Sequence, residues 1–249
     1  MVYIMVDPGH GGYDPGASGY GIEEKNVTLK LSKMINEELG HYEGVKVSLT
    51  RWDDRYLSLD QRCEIANASG ANLFISLHTN SFSNKSAEGF ESYVVYGARK
   101  NMTNAARKQD IIHGSVMDFL DDAGIRDRGK KEAGFYVLRY THMSAILFEN
   151  LFITNPEENA LLKDIEFLRR LAQAYSRGIA KAYNLQHKGT TVPENEPVPD
   201  YWHVYKNGEM VGFFDYPMNA LQSGYYAAKA GLTSNETEVT ITYERVRKT

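Results

Sequence analysis

The sequence predicts an α/β fold, a layered and mostly parallel sheet flanked by helices, followed by a small α+β domain. Three observations carry this. Strand-like and helix-like patterns alternate over residues 1–185, the order expected of a layered α/β domain. Short apolar runs stop abruptly at polar or glycine-rich segments, as buried strands do where they reach a loop. A proline-containing stretch at 186–200 then separates this part from a tail with hairpin signals.

The first strand is Val2-Tyr3-Ile4-Met5-Val6, ahead of the loop Asp7-Pro8-Gly9-His10-Gly11-Gly12. Residues 24–40 place Val27, Leu29, Leu31, Met34, Ile35 and Leu39 at helical spacing, with Gly40 as the stop. Residues 45–50 alternate as a strand, and Ser58 is a natural N-cap for a second helix. Strands are expected at 72–77 and 90–96, then a helix at 103–122 that ends near Gly124. Residues 135–139 and 145–148 read as strands, and 157–184 as one long amphipathic helix.

Residues 186–200 hold three prolines with Glu194 and Glu196 and have no apolar periodicity, which reads as an extended, semi-rigid linker. In residues 201–249, Asn207-Gly208 lies between two apolar runs and signals a hairpin. Pro217 opens an expected helix closed by Gly231, and residues 238–246 alternate as a last strand. The tail is therefore expected to be a compact ββαβ unit.

With 249 residues, 42% hydrophobic and 24% charged, the chain can bury an ample core. A net charge of −4 gives no electrostatic case for nucleic acid or an anionic membrane as partner. No run is long enough to span a bilayer, and the N-terminus enters the first strand without the pattern of a secretory leader. The expectation is synthesis in the cytoplasm without export by the usual signal. The single cysteine, Cys63, cannot form an internal disulfide and reads as a packed thiol.

The chemistry concentrates at three strand ends. His10 and His78 each follow an apolar run, and Glu149 ends the run Ala145-Ile146-Leu147-Phe148. In an open α/β sheet the carboxyl ends of the strands share one edge, where ligands collect. Two imidazoles and a carboxylate suit zinc, whose catalytic sites use three protein ligands and an open position. Glu23 and Glu24, at the start of the first helix, both stand within reach as the third ligand. Each residue taken alone has a plainer reading: a hydrogen-bonded structural histidine, a glutamate set against the helix dipole, glycines in turns. A phosphate-cradling loop is the other use of such glycines, but neither GxGxxG nor GxxxxGK[ST] is present.

Several ordered blocks carry a resemblance. Val6-Asp7-Pro8-Gly9-His10-Gly11-Gly12 with Asp14, Gly16 and Ala17 resembles the opening motif of the zinc-dependent N-acetylmuramoyl-L-alanine amidases, the Amidase_3 family. Gly21-Ile22-Glu23-Glu24-Lys25, Thr50-Arg51 through Leu59 and Arg62, Phe74 through Asn80, and Leu147-Phe148-Glu149-Asn150 resemble its later blocks in order and spacing. Ser144 stands where the family usually has a proline, and Asn150 where it has a small or polar residue. The resemblance implies that His10, Glu24 and His78 are the zinc ligands and that Glu149 is the catalytic carboxylate. It further implies hydrolysis of the amide between N-acetylmuramic acid and L-alanine in bacterial peptidoglycan. A zinc peptidase or deacetylase acting on another cell-wall bond is the alternative, and a non-catalytic wall-binding protein is a third.

A lytic activity without a leader points to a phage endolysin or a mother-cell lytic amidase of sporulation, of which the endolysin is the preferred reading, acting on the wall after release. The tail is expected to bind a cell-wall polymer, with dimerisation as the competing use. Of the other histidines, His41, His113, His187 and His203 read as structural, whereas His142 is expected nearer the reactive edge. Arg62 is expected to brace the fold.

Overall fold

The computed structural model describes residues 1–188, 201–206, 209–214 and 241–246. The chain divides into two compact units, Met1–Thr190 and Thr191–Thr249.

The first unit is built on a six-stranded sheet in the order β4-β1-β5-β8-β6-β7. Its strands are β1 (Val2–Pro8), β4 (Val45–Leu49), β5 (Leu73–Asn80), β6 (Phe90–Val94), β7 (Asp127–Glu132) and β8 (Ser144–Phe152). Strands β4, β1, β5 and β8 run parallel. Strand β6 is antiparallel to β8, and β7 runs with β6. The reactive ends of β1, β5 and β8 therefore share one edge, as the sequence reading expected. A small hairpin, β2 (Ser18–Gly19) with β3 (Ile22–Glu23), follows the first loop.

Alternation along each strand divides the core into two layers. Ile4, Val6, Ile75, Leu77, Ile146 and Phe148 are buried on one face, with α1 (Glu24–Leu39), α3 (Asn104–Asp122) and α6 (Ile165–Tyr183). Met5, Phe74, Ala145 and Leu147 lie on the other, with α2 (Leu59–Ser69) and α4 (Tyr136–Tyr140). Each such Val, Leu, Ile, Met or Phe side chain contributes about 1.5–3 kcal/mol on full burial. Helix α6 packs against both α1 and α3, and its inward stripe includes Leu168, Leu171, Tyr175 and Ile179.

Helix α2 begins as read: the Ser58 side chain accepts from Gln61 N, and the Gln61 side chain returns to the Ser58 backbone in a capping box. Cys63 is buried on this helix, and burial pushes its thiol up to about 11. It is an inert, packed thiol.

Two expectations need correction, and one strand is new. Residues 135–139 are not a strand. Tyr136–Tyr140 forms a short helix in which Tyr136 and Tyr140, one turn apart, have ring centroids 4.3 Å apart. The four-residue apolar run Phe135–Leu138 carries no period long enough to separate strand from helix. The helix expected at 157–184 is two helices, α5 (Pro156–Lys163) and α6, because Asp164 turns extended and its carboxylate caps Glu166 N and Phe167 N. Strand β7 was not anticipated, because Asp-Arg-Gly-Lys-Lys-Glu has no apolar alternation. It is an edge strand, where charge is tolerated and guards against further pairing.

In the second unit β9 (Tyr201–Lys206) pairs antiparallel with β10 (Glu209–Phe214) and β11 (Ile241–Val246), in the order β10-β9-β11. The hairpin and the last strand agree with the sequence reading; the expected helix after Pro217 and most of the linker lie outside the described residues. No helix among the described residues is long and apolar enough to cross a membrane.

Candidate active site

The site forms where β1, β5 and β8 end and α1 begins. The loop after β1 is held from below by two buried arginines. Arg62 donates from Nη1 to Asp7 Oδ1 at 2.8 Å and to Pro8 O at 2.6 Å, and from Nη2 to His10 O at 2.6 Å. Arg51 donates from Nε to Pro8 O and from Nη2 to Gly9 O. Burial alone would raise the Asp7 carboxyl, but Arg62 and the hydroxyls of Thr50 and Ser76 hold it below its ordinary value. Arg62 thus braces the loop, as expected of it. The loop backbone is turned sharply, with His10 itself at φ 62°, a conformation a non-glycine residue keeps only when its surroundings enforce it.

His10, Glu24 and His78 come together. One ligand atom from each lies within 4.8 Å of the others, the group of this kind found among the described residues. His10 Nε2 is 3.2 Å from Glu24 Oε2, and His78 Nδ1 is 2.9 Å from Glu24 Oε1. The two imidazoles meet edge to face, with centroids 5.0 Å apart. Glu24 is buried and also accepts from the backbone N–H of Ala17 and Thr79. Glu23, left open beside it by the sequence, points instead to Asn26 and Lys25 at the surface.

Space for this convergence is made by glycine. A Cβ on Gly9 would fall 2.3 Å from the His78 ring, and one on Gly16 would fall 2.6 Å from both Glu24 Oε2 and His10 Cδ2. Gly16 also has φ +66°.

The electrostatics follow from the geometry. Burial works against charge on every member. Glu24 is nevertheless held well below the ordinary carboxylate range by hydrogen bonds and charge from His10 and His78. His10 is raised to about 9, because Glu24 and Asp14 outweigh burial, and His78 is raised by Glu24. Asp14, quoted in the opening motif but given no role from sequence, accepts from His10 Nδ1 at 2.9 Å and so leaves Nε2 turned toward Glu24.

Glu149 is the register partner of His78 on the adjacent parallel strand. Its Oε2 is buried with no hydrogen-bond partner. Burial first, then the negative charges of Glu24 and Glu91, raise its carboxyl to about 7, against the lowering pull of His78. Behind it, Asn150 Nδ2 donates to His78 O at 3.0 Å and Tyr175 OH donates to Asn150 Oδ1 at 2.7 Å. Tyr175 lies on the inward stripe of α6.

The remaining histidines stand apart. His113 is buried in α3 between Ser92 and Asp127, and His41 stacks with His187 beyond the end of α1. His203 lies on β9. His142 precedes β8 and so lies at the opposite end of the strands from Glu149, exposed, with its backbone N–H on Asn67. The expectation that it approaches the reactive edge is corrected.

A mostly parallel sheet with a buried polar cluster at its strand ends is the ligand-binding edge of an α/β fold. The family model for N-acetylmuramoyl-L-alanine amidase (Amidase_3) matches residues 4–181. The chain belongs to this family and is an enzyme of that class. It is 42% identical over 187 residues to the sporulation-specific N-acetylmuramoyl-L-alanine amidase of Bacillus subtilis (strain 168), covering 75% of this chain and 70% of the relative. It is 40% identical over 197 residues to the endolysin of Bacillus phage SPP1, covering 79% and 72%. Among solved structures, the catalytic domain of CwlV, an N-acetylmuramoyl-L-alanine amidase from Bacillus (Paenibacillus) polymyxa var. colistinus, superposes with a TM-score of 0.66 at 32% identity. That match covers 75% of this chain and all of the other.

Proposed function

We propose that the chain hydrolyses the amide between the lactyl group of N-acetylmuramic acid and L-alanine in bacterial peptidoglycan, with zinc held by His10, Glu24 and His78. The convergence of these three donors beside the unpartnered Oε2 of Glu149 carries the reading. The donor set suits zinc: two imidazoles and one carboxylate are a known catalytic combination, and the His10–Asp14 contact is the usual outer support for a ligating histidine. When bound, the ion lowers the pKa of a coordinated water and polarises the scissile carbonyl.

The protein's own groups do the rest. Glu149 takes the proton of the attacking water on its carboxylate and returns it to the departing alanine nitrogen. A carboxyl raised to about 7 is poised to act in both directions near neutrality. Glu24 stays ionised throughout and keeps the imidazoles oriented. Arg51 and Arg62 fix the loop on which His10 sits, so the donors are set before substrate arrives.

The biological role we assign is that of an endolysin, acting on the wall after release from the cytoplasm. Its support is the likeness to a phage endolysin. The second unit, residues 191–249, serves as a wall-binding module that raises the local substrate concentration. Incubating the full chain with purified cell walls, with and without a chelator, tests the reading. New L-alanine amino termini without new reducing sugars, abolished by the chelator and restored by zinc, are the expected result. Release of any other end group refutes the assigned bond. Sedimentation of a Glu149→Gln chain with intact walls tests the tail.

A further inference from the structure

Beside Glu149 the sheet carries a second ionisable group that the proposed hydrolysis leaves unused. Glu91 on β6 is the register partner of Glu149 on β8, so the two side chains leave the same face of the sheet. The Glu91 carboxylate is buried and accepts from Asn80 Nδ2 at 2.6 Å, from Arg128 Nε at 3.0 Å and from Lys131 Nζ. One carboxylate thus faces two cations. Glu149 and Glu158 are further carboxylates within electrostatic reach of this cluster.

The donors of these cations are not exhausted. A guanidinium has five N–H groups and an ammonium three. Arg128 spends Nε on Glu91 and Nη1 on Glu88 O, and Lys131 spends one donor on Glu91. Both side chains keep part of their surface open, 29% for Arg128 and 37% for Lys131. Charge on an edge strand ordinarily points outward to block further pairing. Here Lys131 turns across β6 instead, passing 5.7 Å from the Tyr93 ring, which itself meets Phe135 edge to face. The side chains of β6 and β7 therefore offer an apolar wall with a cationic end, one strand away from Glu149.

Orientation follows from the amidase reading, on which this inference rests. Glu149 returns its proton to the leaving amine, so the departing peptide begins beside Glu149, one strand away from the cations. We propose that Lys131 and Arg128 bind a carboxylate on that peptide and make the enzyme selective for acidic stem peptides. Glu91 holds the two cations in place as a positioning residue.

The test is calorimetric titration of the full chain with L-alanyl-D-glutamate and with its diamide, which lacks the carboxylates. The free acid is expected to bind about tenfold tighter, the scale of one charge-assisted contact. Lys131→Met should bring the two affinities together, whereas Lys131→Arg, which keeps the charge, should preserve the difference. Thermal melts of both variants check that they are folded. Equal binding of the two peptides by the wild type, including no binding of either, overturns the proposal, as does a preference that survives in Lys131→Met. Turnover is not the readout, so the two readings fail separately. A chain that selects the acid peptide but frees no alanine termini supports this site and refutes the amidase assignment. One that frees them but binds both peptides alike overturns only the carboxylate site.

Discussion

Asp7 and Arg62 form an ion pair at 2.8 Å beneath the His10 loop, with only 1% and 3% of their side chains exposed. Both partners are also satisfied elsewhere: Asp7 accepts from Thr50 and Ser76, and Arg62 donates to Pro8 O and His10 O. A buried pair is fragile to loss of one member, because the other is left charged and unpaired. Arg62→Ala should therefore cost about 3–5 kcal/mol in chemical denaturation.

The same pair fixes the direction of acid sensitivity. Asp7 has a lower pKa folded than its ordinary 3.8, so the stability it contributes is complete above that value. It is lost as pH falls through the lower folded value. Acid titrations of wild type and Asp7→Asn should differ by a constant amount above this window and converge within it, because only the wild type loses the Asp7 contribution there.

Glu149→Gln should retain zinc and lose turnover, since the amide keeps the shape but accepts no proton. His10→Ala should lose metal and activity together. Metal content of the purified variants, set beside release of alanine amino termini, separates the two. A Glu149→Gln enzyme with substantial activity would remove Glu149 from the proton transfers.

Asp14→Ala removes the acceptor for His10 Nδ1 and should weaken zinc binding about 10–100-fold without unfolding the domain. Competition with a zinc indicator measures this directly. Gly16→Ala strikes the same site by another route. The new methyl group would sit 2.6 Å from Glu24 Oε2 and from the His10 ring, so zinc binding should fall sharply.

Tyr175→Phe leaves Asn150 Oδ1 without its buried donor and should cost about 1–3 kcal/mol of stability. Because Asn150 also holds His78 O, activity should fall by more than a distant core substitution of equal cost.

The sequence was most readable where one physical rule dominates. The run before His10, the alternation in β5 and the spacing of α1 each reflect burial on a defined face, and burial is written in apolar side chains. Ser58 and Gly40 marked helix ends because capping needs particular residue types. The site was readable for a different reason: His10, His78 and Glu149 each stand at the carboxyl end of a strand. Choosing Glu24 over Glu23 needed the family resemblance, since neighbouring helix positions differ by about 100° in direction and the sequence carries no coordinate for the loop. Strand β7 was missed because its pairing satisfies backbone groups while its side chains stay charged. The break at Asp164 was missed because an aspartate that caps one helix looks like a polar position within a longer one. Arg51, Asp14 and Tyr175 act through contacts with distant or turned segments, which no local pattern encodes.

The donors come from the loop after β1, from α1 and from β5, and Glu149 comes from β8, more than seventy residues beyond His78. A ribosome-bound chain that has not yet emitted β8, or a fragment nicked before it, has the imidazoles without the carboxylate opposite them. On the proposed assignment of Glu149, bond cleavage awaits the pairing of β8 with β5.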